Sequence, residues 1–184
     1  MNKCIITFGR INPIHLGHGI LFNKVQDIST ELNADFRIYL STTQDPKKNP
    51  LPPNLKQYYT SNFYPNIKDV LSTESNVINI MQDLDSQYND IIFVCGSDRI
   101  NSFKKALDSA NGKLYNFDSI QVIQAGIERE CSKYSSTAMR SYALDGDYNS
   151  FSTFLPGKDV YLKEQLFEDV QRYMRDGYNG SKRK

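Results

Sequence analysis

The chain has no tryptophan, only two histidines and only three cysteines in 184 residues. The cysteines are Cys4, Cys95 and Cys131, an odd number with no CxxC pair. That excludes a disulfide framework and a zinc ribbon, and it points to reduced thiols in a cytosol. Cys4 and Cys95 lie in apolar runs and are expected as small buried side chains. No apolar stretch approaches the roughly 20 residues that span a bilayer, so no membrane partner is expected. The N-terminus carries one Lys and a short apolar run, which does not read as a signal peptide. A cytoplasmic location follows by elimination. Excess charge is missing too: 22 basic residues face 21 acidic ones, for a formal charge of +1. That argues against a specific nucleic-acid binder, which would carry a basic face, and leaves room for a local anion site.

What is present is aromatic and apolar. Twelve Tyr and ten Phe bring aromatics to 12% of residues, a content that argues against disorder. The length suits one domain with a sizeable core. Cys4 to Phe8 is a short apolar, partly β-branched run ending in Gly9-Arg10, and it reads as a first strand. Leu21, Val25, Ile28 and Leu32 recur at helical steps. Phe36 to Leu40 reads as a second strand, followed by a polar loop from Ser41 to Pro53. Leu55 to Phe63 suggests a helix that stops before Pro65, and a short strand is expected near Val70. Val77, Met81, Leu84 and Tyr88 mark a further helix. Ile91 to Cys95 is a continuous apolar run of the kind buried on both faces of a parallel sheet. Phe103 to Leu107 gives another helix, Ser119 to Ile123 a fifth strand, and Leu162 to Tyr173 an amphipathic helix. Strands alternating with helices predict an α/β sandwich around a parallel sheet. Leu155-Pro156-Gly157 is expected to set a C-terminal helix, 157–178, apart from a body spanning 1–156. A basic tail, 179–184, completes a single domain.

The informative stretch is Gly9-Arg10-Ile11-Asn12-Pro13-Ile14-His15-Leu16-Gly17-His18. It is a strand end, a glycine turn and a helix start. Gly9 allows close backbone approach to a ligand, and Gly17 does the same at the helix start. His15 and His18 are three apart, so on a helical turn they share one face. A helix N-terminus offers free N–H groups and the positive dipole end to phosphate. The plainer reading is a pair of capping or core histidines. A zinc site is a poorer one, with two ligands and no nearby third. Far downstream, Tyr134-Ser135-Ser136-Thr137-Ala138-Met139-Arg140 places hydroxyls at a helix start and an arginine fork one turn inside. Alone, such a stretch is an ordinary cap. Gly96-Ser97-Asp98-Arg99 follows the fourth strand and, alone, is common turn chemistry. Lys47 and Lys48 lie in the polar loop after the second strand, either as phosphate contacts or as solvated lysines.

Together these residues resemble the HxGH nucleotidyltransferase superfamily. Gly9, Arg10, Pro13, His15, Gly17 and His18 match its Gly-Arg-x-x-Pro-x-His-x-Gly-His signature, and Ser135 to Arg140 are similar to its Ser-Ser-Thr-x-x-Arg element. The resemblance implies a Rossmann-like, doubly wound fold with a five-stranded parallel sheet in the order 3-2-1-4-5. It implies His15, His18 and Arg140 as catalytic residues. It places Phe8, Gly9, Arg10, Gly17, Lys47, Lys48, Gly96, Asp98, Tyr134, Ser135, Ser136 and Thr137 around nucleotide and phosphate, with no protein-bound metal. Mg2+ would arrive with the nucleoside triphosphate. The loop after strand two looks similar to that of archaeal-type nicotinamide-mononucleotide adenylyltransferases, but Leu55-Lys56 stands where Glu-Arg is expected. The whole pattern is also similar to small cytidylyltransferase-like phage proteins, for which the location would be the host cytoplasm.

The implied reaction is transfer of a nucleoside monophosphate, AMP before CMP, from a triphosphate to a phosphorylated small-molecule acceptor with release of pyrophosphate. The alternatives are CMP transfer to a phosphorylated alcohol and a silent nucleotide-binding assembly protein. A homo-oligomer is compatible with either. His18→Ala is expected to abolish turnover and leave cooperative unfolding intact. Loss of cooperative unfolding in a denaturant titration would favour a core histidine instead.

Overall fold

A computed structural model describes residues 2–125 and 134–175 of the chain. Five parallel strands form one sheet in the order β3-β2-β1-β4-β5, the order the resemblance implies. They are β1 (Lys3–Gly9), β2 (Asp35–Ser41), β3 (Leu71–Glu74), β4 (Asp90–Cys95) and β5 (Ser119–Gln124). The crossover helices are α1 (Leu16–Leu32), α2 (Pro53–Phe63), α3 (Val77–Asp85) and α4 (Ile100–Ala110). After β5 come α5 (Ser136–Asp145), the single turn α6 (Tyr148–Ser152) and α7 (Val160–Arg175).

The sequence explains this layering. All six residues of β4 are buried, as the unbroken apolar run requires of a central strand. Along β1 the side chains alternate between faces. Cys4 and Ile6 pack with Ile80, Met81 and Leu84 of α3 and Leu107 of α4. Ile5 packs with Val25 and Ile28 of α1. The chain winds outward from β1 with α1 and α2 on one face. It then returns to β4 and β5 with α3 and α4 on the other, so strand order reverses between β1 and β4. Burial pushes the Cys4 thiol up to about 12 and Cys95 to about 11, so both stay protonated. Cys131 lies outside the described residues.

Two boundaries and one added element differ from expectation. Helix α2 starts at Pro53, two residues before the first apolar marker, because proline suits the first helical position. Helix α3 stops at Asp85, and Tyr88 instead donates its hydroxyl to Asp35 at 2.7 Å. The turn α6 had no apolar periodicity to announce it; Asp147 caps it by accepting the Ser150 N–H at 3.0 Å.

Leu155-Pro156-Gly157 does not detach the last helix. Leu166 and Val170 of α7 are fully buried with Met139 and Ala143 of α5, Phe151 of α6 and Ile38 and Leu40 of β2. Tyr59 of α2 donates its hydroxyl to Asp169 of α7 at 2.6 Å. Helix α7 is thus packed into the core cluster shared by α2, α5, α6 and β2, and it ends at Arg175 within the described residues; the tail 179–184 lies outside them. No described helix is long and apolar enough to cross a membrane. Leu166→Ala should therefore lower unfolding free energy by about 2–5 kcal/mol in a urea titration. Tyr161→Ala, at a side chain 85% exposed on the same helix, should change it by less than about 0.5 kcal/mol.

Candidate functional site

In an open α/β sheet, ligands bind beyond the carboxyl ends of the strands where the strand order reverses. Here that point is the β1–β4 boundary. The pairing of Ile6 with Phe93, continued three residues, brings Gly9 level with Gly96. The segment that leaves β1 here, Arg10 to His15, contains a strained residue. Ile11 has φ of 43°, a conformation costly for a β-branched side chain, and is 3% exposed.

Side chains from elsewhere hold this segment by its carbonyl groups. Lys56 of α2 donates to the Arg10 carbonyl at 3.4 Å. Arg140 of α5 donates from Nη1 to the Asn12 carbonyl at 2.7 Å, and Ser136 donates from Oγ to the Pro13 carbonyl at 2.9 Å. Tyr64, just after α2, donates its hydroxyl to the His15 carbonyl at 3.1 Å. The Asn12 side chain works in the other direction. Its Nδ2 donates to the Leu51 carbonyl and its Oδ1 accepts the Leu51 N–H, each at 3.0 Å. That pair ties the segment to the loop after β2.

The two histidines stack, with ring centroids 3.7 Å apart and planes 26° from parallel. The Nδ1 of His18 accepts the backbone N–H of His15 at 3.1 Å. A neutral imidazole whose Nδ1 accepts must carry its proton on Nε2, so this bond makes the Nε2 of His18 a donor. Burial pushes His15 down to about 4. Burial, and then the neighbouring His15, holds His18 well below the usual histidine range. Both rings are therefore neutral at pH 7. The Nδ1 of His15 is buried and has no hydrogen-bond partner among the described residues. Gly17 makes the stack fit, since a Cβ there would sit 3.0 Å from Cε1 of His15 and 3.1 Å from its Nδ1. In the first turn of α1, Phe154 O accepts the Leu16 N–H at 2.8 Å and His15 O accepts the His18 N–H at 2.9 Å. The Gly17 N–H between them has no acceptor among the described residues. An unfilled N–H and an Nε2–H donor at a helix N-terminus are the donor chemistry that suits an anion.

At the start of α5, Ser135 caps the helix by accepting the Ala138 N–H at 3.0 Å. Thr137 Oγ1 accepts from Nη2 of Arg140 at 3.1 Å. The three hydroxyls of this stretch are thus engaged within the protein, which leaves its backbone N–H groups to meet a ligand. Tyr134 packs edge-on against Phe154 at 5.5 Å, and its Cβ lies beside Gly17. Burial lowers the Arg140 pKa, and the charges of Asp45 and Arg10 both act on it. The exposed Arg10 and Asp45 of the loop after β2 are thus near enough to the half-buried Arg140 for their charges to act on it.

The remaining predicted residues are placed more loosely. Asp45 Oδ1 accepts the N–H groups of Lys47 and Lys48 at 3.1 and 2.7 Å, while both lysine side chains are exposed and make no recorded contact with the histidines. Gly96 and Asp98 follow the carboxyl end of β4, the strand next to β1. A Cβ on Gly96 would meet Oδ1 of Asp98 at 2.9 Å, and Asp98 pairs with Arg99 at 3.4 Å. Phe8, the last side chain of β1 before Gly9, packs on the α3–α4 face. No group of three or more His, Cys, Asp or Glu that could hold a metal exists among the described residues. Sequence reasoning missed Asn12, Lys56, Tyr64 and Phe154, which hold the site. Only Lys56 left a trace, as a mismatch to the family pattern.

No protein-family model matches the chain, and no curated protein sequence matches it. Solved structures do. A protein from Vibrio parahaemolyticus assigned as a nicotinate-nucleotide adenylyltransferase aligns over 90% of this chain and 99% of its own, with TM-score 0.59 and 18% identity. The nicotinic acid mononucleotide adenylyltransferase of Plasmodium falciparum, in complex with NaAD, aligns over 94% of this chain and 98% of its own, with TM-score 0.59 and 14% identity. At these identities the likeness establishes a shared fold across nearly the whole length of each protein.

The buried His15 makes stability pH-dependent. Its folded pKa of about 4 lies below the ordinary 6.5, so the unfolded chain takes up its proton first as pH falls. The His15 contribution is complete above pH 6.5 and is lost as pH falls through about 4, by an amount on the order of 3 kcal/mol. Urea titrations at pH 7 and pH 5 should show a drop in wild type that shrinks in His15→Asn. An equal drop in both would show that His15 is not buried neutral.

Proposed function

We propose that the chain is a nucleotidyltransferase that moves AMP from ATP onto the phosphate of a mononucleotide acceptor, such as nicotinamide or nicotinic acid mononucleotide, and releases pyrophosphate. One observation supports this reading. The His18 Nε2–H and the open Gly17 N–H lie at a helix N-terminus that follows β1 at the strand-order reversal, and Arg140 is tied to the Asn12 carbonyl of the same segment. The motif resemblance supports the reaction class. The choice of acceptor rests on what the two structural neighbours are described as using.

In the reaction, an oxygen of the acceptor phosphate attacks the α-phosphorus in line. The bond from that phosphorus to the β-phosphate oxygen breaks, and pyrophosphate leaves on the opposite side. Such a transfer depends on positioning and charge stabilisation, with no covalent intermediate on the protein. The His18 Nε2–H and Gly17 N–H donate to α- and β-phosphate oxygens, where a preformed donor acts most strongly on charge that builds in the transition state. His15, neutral until an anion approaches, supplies a second donor from its ring. Arg10, Arg140, the N–H groups of Ser136 and Thr137, and Lys47 or Lys48 balance the remaining phosphate charge. Gly96, Asp98 and Phe8 border the space left for base and ribose. Mg2+ would arrive on the triphosphate, where it keeps several waters and needs few protein ligands. The reactants and the reduced, buried thiols suit the cytoplasm.

A matrix of ATP, CTP, GTP and UTP against nicotinamide mononucleotide, nicotinic acid mononucleotide and a phosphorylated alcohol tests this, with pyrophosphate release as the readout. ATP with a mononucleotide is the expected active pair. Turnover of CTP with the alcohol would replace the base and the acceptor. Nucleotide binding without release anywhere in the panel would make the chain a binding protein. In the same assay His18→Asn, which keeps an acceptor for the His15 N–H but lacks the Nε2–H, should lose about 10²–10³-fold in kcat. Its unfolding midpoint should stay close to wild type.

A further inference from the structure

Lys56 is the anomaly of the interior. It is 1% exposed, and its ammonium donates to three backbone carbonyls: Arg10 at 3.4 Å, Thr43 at 3.1 Å, and Ser41 at close range. A buried ammonium that meets only carbonyls is costly, and an apolar chain of the same shape would serve packing better. Burial accordingly pushes it down to about 8. What an apolar chain cannot do is hold three carbonyls at one point. Those carbonyls belong to the segment leaving β1 and to the start of the loop leaving β2.

Holding a carbonyl also orients the N–H of the same peptide, because in a trans peptide the two point in opposite directions. The Ser41–Thr42 unit shows it: Lys56 takes its carbonyl, and its N–H donates to the Glu74 carbonyl at 2.9 Å in the β2–β3 ladder. The Arg10–Ile11 and Thr43–Gln44 units are held in the same way. Their N–H groups, on Ile11 and Gln44, have no acceptor among the described residues.

We propose that Lys56 is a positioning residue for anion binding. Its ammonium locks the segment after β1 against the loop after β2, and it turns the Ile11 and Gln44 N–H groups outward as donors to the phosphates of the bound nucleotides. The substrate named here rests on the nucleotidyl-transfer reading, whereas the lock itself does not. Lys56 touches no reacting atom and acts through Arg10, Thr43 and the peptides they begin.

Three measurements on Lys56→Met and Lys56→Ala test this in the full-length chain. Hydrogen exchange is followed at residues 10–14 and 41–51, with β4 as the internal control. Affinity is measured for Mg-ATP and for inorganic tripolyphosphate. Pyrophosphate release separates kcat from KM. Lys56→Met should unfold cooperatively, exchange faster in both segments but not in β4, and bind both anions about tenfold more weakly. In Lys56→Ala, added propylammonium should restore slow exchange and affinity, which a purely structural role would not allow. Wild-type affinity and exchange in Lys56→Met would overturn the proposal, as would a Lys56→Ala defect that propylammonium leaves unchanged. If wild type binds tripolyphosphate but releases no pyrophosphate, the transfer reading fails while the affinity comparison still decides the role of Lys56. If wild type binds neither anion, the proposal fails with it.

Discussion

The carbonyl groups of the segment between β1 and α1 need partners, and that need organises the rest of the site. The segment is buried at Ile11, Asn12, Ile14 and His15, and buried backbone polar groups go unpaired only at a cost of about 1–3 kcal/mol each. It has no strand or helix of its own to satisfy them. Lys56, Arg140, Ser136 and Tyr64 do so instead, at Arg10, Asn12, Pro13 and His15. These donors come from α2, from the residue following it and from α5. The segment therefore cannot take this shape until α2, Tyr64 and α5 have packed against it. A strained Ile11 and a stacked histidine pair persist because so many outside groups fix the backbone around them.

The electrostatics follow from the same packing. Stacked, with His15 buried and His18 half-buried, the two histidines are neutral donors near pH 7. Permanent positive charge comes from Arg10 and Arg140, whose charges act on each other, with Asp45 partly offsetting them. Arg140 also has a second duty, since its Nη1 holds the Asn12 carbonyl. Loss of Arg140 would thus remove a charge and loosen the loop together, and only a comparison with Lys at that position would separate the two effects.

Much of the fold was legible because periodicity survives in one dimension. Ile91 to Cys95 could only be a strand buried on both faces, and Leu21 to Leu32 could only be an amphipathic helix. The strand order came from the motif resemblance, since alternation alone leaves the order open. The site was legible where residues of a rare type cluster, as His15 and His18 do, or where a helix start carries Ser-Ser-Thr. It was illegible at Lys56 and Tyr64. Each serves a partner 46 or 49 residues away in the chain. A lone lysine beside Leu55 and a lone tyrosine before Pro65 give no local sign of such a partner. Even within the motif, Asn12 stood as a spacer until its pairing with Leu51 showed it to be a clamp.

By itself, then, the chain determined its α/β class and the pairing of its two histidines at a helix start, because composition and spacing decide local conformation. The protonated nitrogen of His18, the hydroxyls of Ser135 to Thr137 turned inward as caps and ties, and the tie of Arg140 to the Asn12 carbonyl were decided only by tertiary structure. Hydrogen-bond partners and desolvation are properties of a packed environment. No spacing along the chain specifies which distant carbonyl will need a donor.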